Sequence, residues 1–93
     1  MNQKIYSQLV WDYNLPQSDF EAILRGEKVL GGLDQNWAIA RILENLNYYT
    51  AMKLIPWEVL KKNWTLIKKK LFKDTIKTGY EFILQRYPVS IAG

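Results

Sequence analysis

The chain has 93 residues, 48% of them hydrophobic, with four Trp, six Tyr and three Phe and a formal net charge of +4. That length predicts one domain, and the apolar share excludes a disordered chain, although a domain this small buries only roughly 60–65% of its unfolded surface, so each large side chain counts. The absence of Cys and His excludes disulfide and thiolate chemistry, the commonest zinc ligand and the commonest general base near neutral pH.

The start of the chain lacks the basic residues and apolar stretch of a secretory signal. The longest apolar runs are a few residues, far short of the ~20 that a membrane span requires. These features predict a cytoplasmic protein with no membrane partner. Residues 1–8 are mostly polar and predict a frayed end. Residues 9–13, Leu-Val-Trp-Asp-Tyr, read as an aromatic segment that packs Trp11 under the helices while Asp12 caps a backbone end. The alternative is an exposed aromatic hot spot for a partner.

Asn14-Leu15-Pro16 opens a helix, since Pro is tolerated in a first turn whose N–H groups are unpaired anyway. That helix runs to Arg25, with Phe20, Ile23 and Leu24 on one face and Gly26 placed to end it in a left-handed conformation. Residues 26–33 form a connector from which Val29, Leu30 and Leu33 dip into the core. Gly31-Gly32 allows a sharp turn. The glycine spacing matches no P-loop or dinucleotide fingerprint, and Asp34 would repel an anion.

Residues 34–46 organise the chain. Asp34 is a good N-cap, and Ile39, Ala40, Ile42, Leu43 and Leu46 recur at helical spacing. A second stripe runs through Trp37, Arg41, Glu44 and Tyr48, with Arg41 positioned to stack on Trp37 for about 0.5–1 kcal/mol. That stripe reads as local support, or else as a partner-contact face. Asn47 caps a short third helix over 48–55, which predicts an antiparallel helical hairpin over 34–55.

Pro56 opens a fourth helix with Trp57, Leu60 and Trp64 in one line, followed by a break near Asn63 to Thr65. Leu66, Ile67, Leu71 and Phe72 continue the core contact. A last helix starts at Lys73 or Asp74 and carries Ile76, Tyr80, Ile83, Leu84 and Tyr87. Gly79 within it costs about 1 kcal/mol relative to Ala and would allow a close helix crossing. Tyr87-Pro88 ends this helix, and 88–93 is a tail. Strand patterning is weak, with residues 27–30 at most pairing briefly.

Charge is unevenly placed. Residues 1–60 carry a net −2 and residues 61–93 a net +6, so the basic end is a local feature that can steer partners. Lys61, Lys62, Lys68, Lys69, Lys70, Lys73 and Lys77 face only Asp74 between 61 and 77. These seven lysines are the candidate binding residues, for an acidic protein or for a nucleic-acid backbone. The stretch contains no Arg of the kind sequence-specific readers use. No nucleophile elbow, zinc spacing, P-loop or Ser-His-Asp set occurs, so no catalytic, cofactor-binding or metal residue is named and no enzyme activity is expected.

Three segments carry a family resemblance: LVWDYNL at 9–15, GEKVLGGLDQNWAIARILENLNYYTAMKLIPWEVLKKNW at 26–64, and LFKDTIKTGYEFILQRYP at 71–88. Together they resemble a family of small, functionally uncharacterised bacterial and archaeal proteins often encoded beside AbiE-type nucleotidyltransferase toxins. The resembling segments are hydrophobic and aromatic and hold no catalytic motif. The doubled glycine at 31–32 and Thr65, where relatives would carry Pro, depart from the family in turns alone. The resemblance implies a non-catalytic, antitoxin-like protein that binds a nucleotidyltransferase and its own operator. The sequence thus predicts an all-α single domain of four to six short helices around the 34–55 hairpin, without cofactor. It would act as a protein-interaction module, with a DNA-binding module as the alternative and self-association left open.

Overall fold

The computed structural model describes residues 2–86. Their regular structure is helical: α1 (Gln3–Leu9), α2 (Gln17–Leu24), α3 (Gln35–Asn45), α4 (Tyr48–Leu54), α5 (Trp57–Lys62), α6 (Trp64–Ile67), a 3-10 turn (Lys68–Lys70) and α7 (Asp74–Arg86). No strand occurs among the described residues; one isolated bridge pairs Leu30 with Leu33. The seven α-helices among the described residues exceed the expected four to six for two reasons. Residues 3–9 are helical, and the chain splits at Asn63, as its capping preference suggested. The end of α7 at Tyr87-Pro88, the tail, and Tyr87 itself lie outside the described residues.

α1 was expected to be frayed. Its helix exists because the Asn2 side chain accepts the Ile5 N–H at 2.8 Å, and because Ile5, Tyr6 and Leu9 share one face. Leu9 is fully buried. α2 ends in the left-handed motif that Gly26 promised. Gly26 has φ +78°, its N–H donates to Ile23 O at 3.0 Å, and the Glu27 N–H donates to Ala22 O at 2.9 Å. This double closure satisfies carbonyls that the helix end leaves open. Gln35 Nε2 donates to Leu24 O at 2.9 Å, tying the start of α3 to the end of α2.

α3 is the central element. Asp34 accepts the Trp37 N–H at 2.9 Å, and Ala38, Ile39, Ala40, Ile42 and Leu43 are buried. Burial on consecutive positions means contact on more than one side, and α3 packs against α1, α2, α4, α6 and the 3-10 turn. Asn47 caps α4 through the Thr50 N–H at 2.9 Å. The largest fully buried side chains are Phe20, Leu9, Ile23, Ile39, Ile42, Leu43, Leu60 and Ile67. No polar or charged residue among the described ones is buried, so burial of apolar surface, at about 25 cal/mol per Å², is the main source of stability.

α7 is pinned by side chains from α5, α6 and the 3-10 turn. Lys61 Nζ donates to Leu84 O at 2.7 Å. The Trp64 indole donates to Glu81 Oε2 at 3.1 Å, and Lys68 Nζ reaches the same oxygen at 3.4 Å. The indole bond, then the Lys68 charge, hold the Glu81 carboxyl below its ordinary pKa. Tyr80 is buried; burial, helped by Tyr48, pushes its phenol up to about 12.

Several apolar residues expected in the core are outside it. Trp11, Val29, Leu66 and Phe72 are exposed. Leu9 and Val10 take the core positions before Trp11. Trp64 and Ile67, three apart on α6, face inward and leave Leu66 outward. Leu71 is in extended backbone, where successive side chains point to opposite faces; Leu71 is buried and Phe72 is not. Gly79 makes no close crossing, since a Cβ there would meet nothing within 4 Å.

Candidate functional site

Of the exposed aromatics, Trp11, Tyr13 and Phe72 share one surface, whereas Tyr48, Tyr49 and Phe82 lie elsewhere. Trp11 (77% exposed) and Phe72 (91%) flank one concave surface of about 600 Å³, within the roughly 300–1,000 Å³ typical of ligand pockets. Three segments build it. The loop after α1 supplies Trp11, Asp12 and Tyr13; α3 supplies Trp37, Ala40, Arg41, Glu44 and Asn45; the end of the 3-10 turn and the approach to α7 supply Lys70, Phe72 and Lys73.

The floor is the second stripe of α3. Trp37, Arg41 and Glu44 lie four and three residues apart, hence on one helix face. Each polar member holds one wall. Arg41 Nε donates to Leu9 O at 2.8 Å, and its terminal nitrogen pairs with Asp12 Oδ1 at 2.5 Å. The guanidinium lies over the Tyr13 ring, 5.4 Å from its centroid. The expected stacking partner was Trp37. Tyr13 takes that place because the loop folds back over α3. Trp37 instead meets Tyr13 and Phe20 edge to face, at 5.2 and 5.7 Å. Asp12, expected to cap a backbone end, is the ion partner of Arg41.

Glu44 holds the opposite wall. Its Oε1 accepts the backbone N–H of Phe72, and that of Lys73 at 3.2 Å. These amides immediately precede α7, where a carboxylate is favoured both by unpaired N–H groups and by the helix dipole. Both wall segments are thereby fixed to α3, and the two large aromatic side chains project from anchored backbone.

The seven candidate lysines divide into two sets. Lys61, Lys68 and Lys77 are engaged within the protein, with Leu84 O, Glu81 and Asp74 respectively. Lys62, Lys69, Lys70 and Lys73 are exposed. Of these, Lys70 and Lys73 line the groove. The aromatic members Trp11, Tyr13 and Phe72 escaped sequence reasoning as a set, because nothing in their spacing brings residues 11 and 72 together. The available signals were the Trp37-Arg41-Glu44 stripe and the alternative reading of residues 9–13 as an exposed aromatic hot spot.

Among the described residues, no three acidic side chains gather where they could hold a metal ion, and no helix is long and apolar enough to cross a membrane. No family model, curated protein or solved structure matches the chain.

Proposed function

We propose that the protein is a non-catalytic interaction module of the cytoplasm that docks a protein partner in the groove between Trp11 and Phe72. The observation that carries this reading is the exposure of two large aromatic rings lining one concave surface, each next to backbone tethered to α3. Trp, Tyr and Arg gathered on one surface are the composition of interface hot spots. α3, which supplies five of the lining residues, is the scaffold of the groove, and α3 with α4 is read as an antiparallel hairpin. The family resemblance adds the identity of the partner, a nucleotidyltransferase, and makes the protein antitoxin-like.

Co-expression with a nucleotidyltransferase encoded beside the gene tests this. A complex that survives size-exclusion chromatography, and is lost in W11A/F72A, supports the reading. A complex indifferent to both substitutions refutes the groove as its docking site. A second reading, nucleic-acid binding, is favoured by the exposed Lys69, Lys70 and Lys73 beside aromatic faces on which bases could stack. It requires binding that weakens steeply with salt.

A further inference from the structure

We infer that the occupant of the groove is an acidic amphipathic segment of the partner. It inserts an apolar side chain between Trp11 and Phe72 and presents carboxylates to Lys70 and Lys73. This assignment rests on the groove being the protein-docking face. Charge complementarity identifies the occupant. The groove is lined by two carboxylates and three cations, but these are not equally available. Asp12 is matched by Arg41 at 2.5 Å. Glu44 is occupied by the Phe72 and Lys73 amides. Three cations against two carboxylates leave the lining with one net positive charge, which favours an anionic ligand. The ammonium groups of Lys70 and Lys73 have no carboxylate partner among the described residues, and Lys69 is exposed on the same turn. A ligand entering the groove therefore meets two lysine ammonium groups without ion-pair partners among the described residues, together with aromatic surface.

The same distribution favours a polypeptide over a polyphosphate. A nucleic-acid strand carries charge at every residue and would pass the Asp12 and Glu44 carboxylates that line the groove. A peptide can put its carboxylates at the Lys70–Lys73 end alone and leave apolar atoms over Trp37 and Ala40. The segment is anchored by burial between the rings, and charge decides which segments are admitted.

The full-length chain is titrated calorimetrically with three probes: a synthetic amphipathic peptide with Leu and Phe four apart among glutamates, the same peptide with lysines for glutamates, and a single-stranded oligothymidylate. The acidic peptide should bind, and weaken severalfold as the Debye length falls from about 30 Å to about 3 Å with added salt. W11A and F72A should each weaken it about tenfold or more, the usual effect of losing an aromatic anchor. K70E/K73E should abolish acidic-peptide binding and confer binding of the basic one. All four positions are exposed, so unchanged circular dichroism is expected in every variant. Equal binding of both peptides, lost in W11A, overturns the charge assignment while leaving the docking reading intact. Tighter binding of the oligothymidylate through Trp11 and Phe72 overturns both. Absence of any peptide binding overturns the acidic-segment assignment, and complex formation with the nucleotidyltransferase then judges the docking reading separately.

Discussion

Arg41 connects stability to the groove, and Arg41→Ala is the sharpest test of that connection. The substitution removes the donor to Leu9 O at 2.8 Å, the pair with Asp12 at 2.5 Å and the stack over Tyr13 at 5.4 Å. Leu9 is fully buried, so its carbonyl loses a charged donor, worth about 1.5–3 kcal/mol. The ion pair is partly solvated and adds about 0.2–1 kcal/mol; the stack adds about 0.5–1 kcal/mol. The three share one side chain and do not simply add, which leaves a loss of about 2–4 kcal/mol. For a domain of this size that lowers Tm by roughly 10–30 °C. Urea denaturation followed by far-ultraviolet circular dichroism measures it. Asp12→Asn, which removes only the charge pairing, should cost less than about 1 kcal/mol. An Arg41→Ala cost below about 1 kcal/mol, or an Asp12→Asn cost equal to it, would refute the assignment of the Leu9 carbonyl bond as the main term.

Gly79→Ala should stabilise the protein by roughly 0.5–1 kcal/mol, because the position is helical and the new methyl meets nothing within 4 Å; a loss in chemical denaturation would reveal a crossing after all. Gly26→Ala should instead destabilise by about 1–2 kcal/mol, since φ is +78° and its Cβ would sit 3.3 Å from the Gln35 amide. Alkaline pH should weaken the fold through Tyr80. Its folded pKa of about 12 lies above the ordinary value of 10.0, so its contribution is complete below pH 10 and is lost as pH rises toward 12, by roughly 2–3 kcal/mol; Tyr80→Phe should flatten that arm of the stability curve. Glu81 acts at the acid end. Its depressed carboxyl pKa contributes stability that is present above 4.5 and lost as pH falls through the folded value, and Glu81→Gln should shrink that acid-side decline in a pH series of thermal melts.

Helical periodicity was enough to place the core faces of α2, α3 and α7, because Phe20, Ile23 and Leu24, or Ile39, Ile42 and Leu43, can share a side in only one backbone conformation. The caps at Asp34 and Asn47 were legible for the same local reason: a short polar side chain precedes an apolar run. α1 was missed because its polar composition hides the Ile5-Tyr6-Leu9 face, and a seven-residue helix is set by packing more than by propensity. The exposed aromatics were misassigned for a different reason. Hydrophobicity states what a Trp or Phe side chain would gain by burial, not whether the fold has room for it. Leu9, Val10 and Leu71 fill the available places, and Trp11 and Phe72 are left outside.

The walls of the groove are set by contacts that no local pattern encodes. Arg41 reaches 32 residues back to Leu9, and Glu44 reaches 28 residues forward to Phe72. Both leave from the same face of α3, one turn apart, so a single helix sets the separation of the two aromatic walls. A hydrophobic stripe would have buried that face and closed the groove against the loop. A polar stripe free of partners would have left both wall segments untethered. The Arg41-Glu44 pair does neither: it uses its charges on backbone and on Asp12, within the protein, and leaves the lysines beyond it uncompensated. The net positive charge of the carboxyl-terminal third therefore acts at the groove through Lys70 and Lys73, while Lys61, Lys68 and Lys77 are engaged within the protein. On this division of labour, Lys61→Ala should loosen α7 without changing peptide affinity, whereas Lys73→Ala should weaken acidic-peptide binding without changing the melting curve. A reversal of those two outcomes in paired calorimetry and thermal melts would show that the basic surface does not divide in this way.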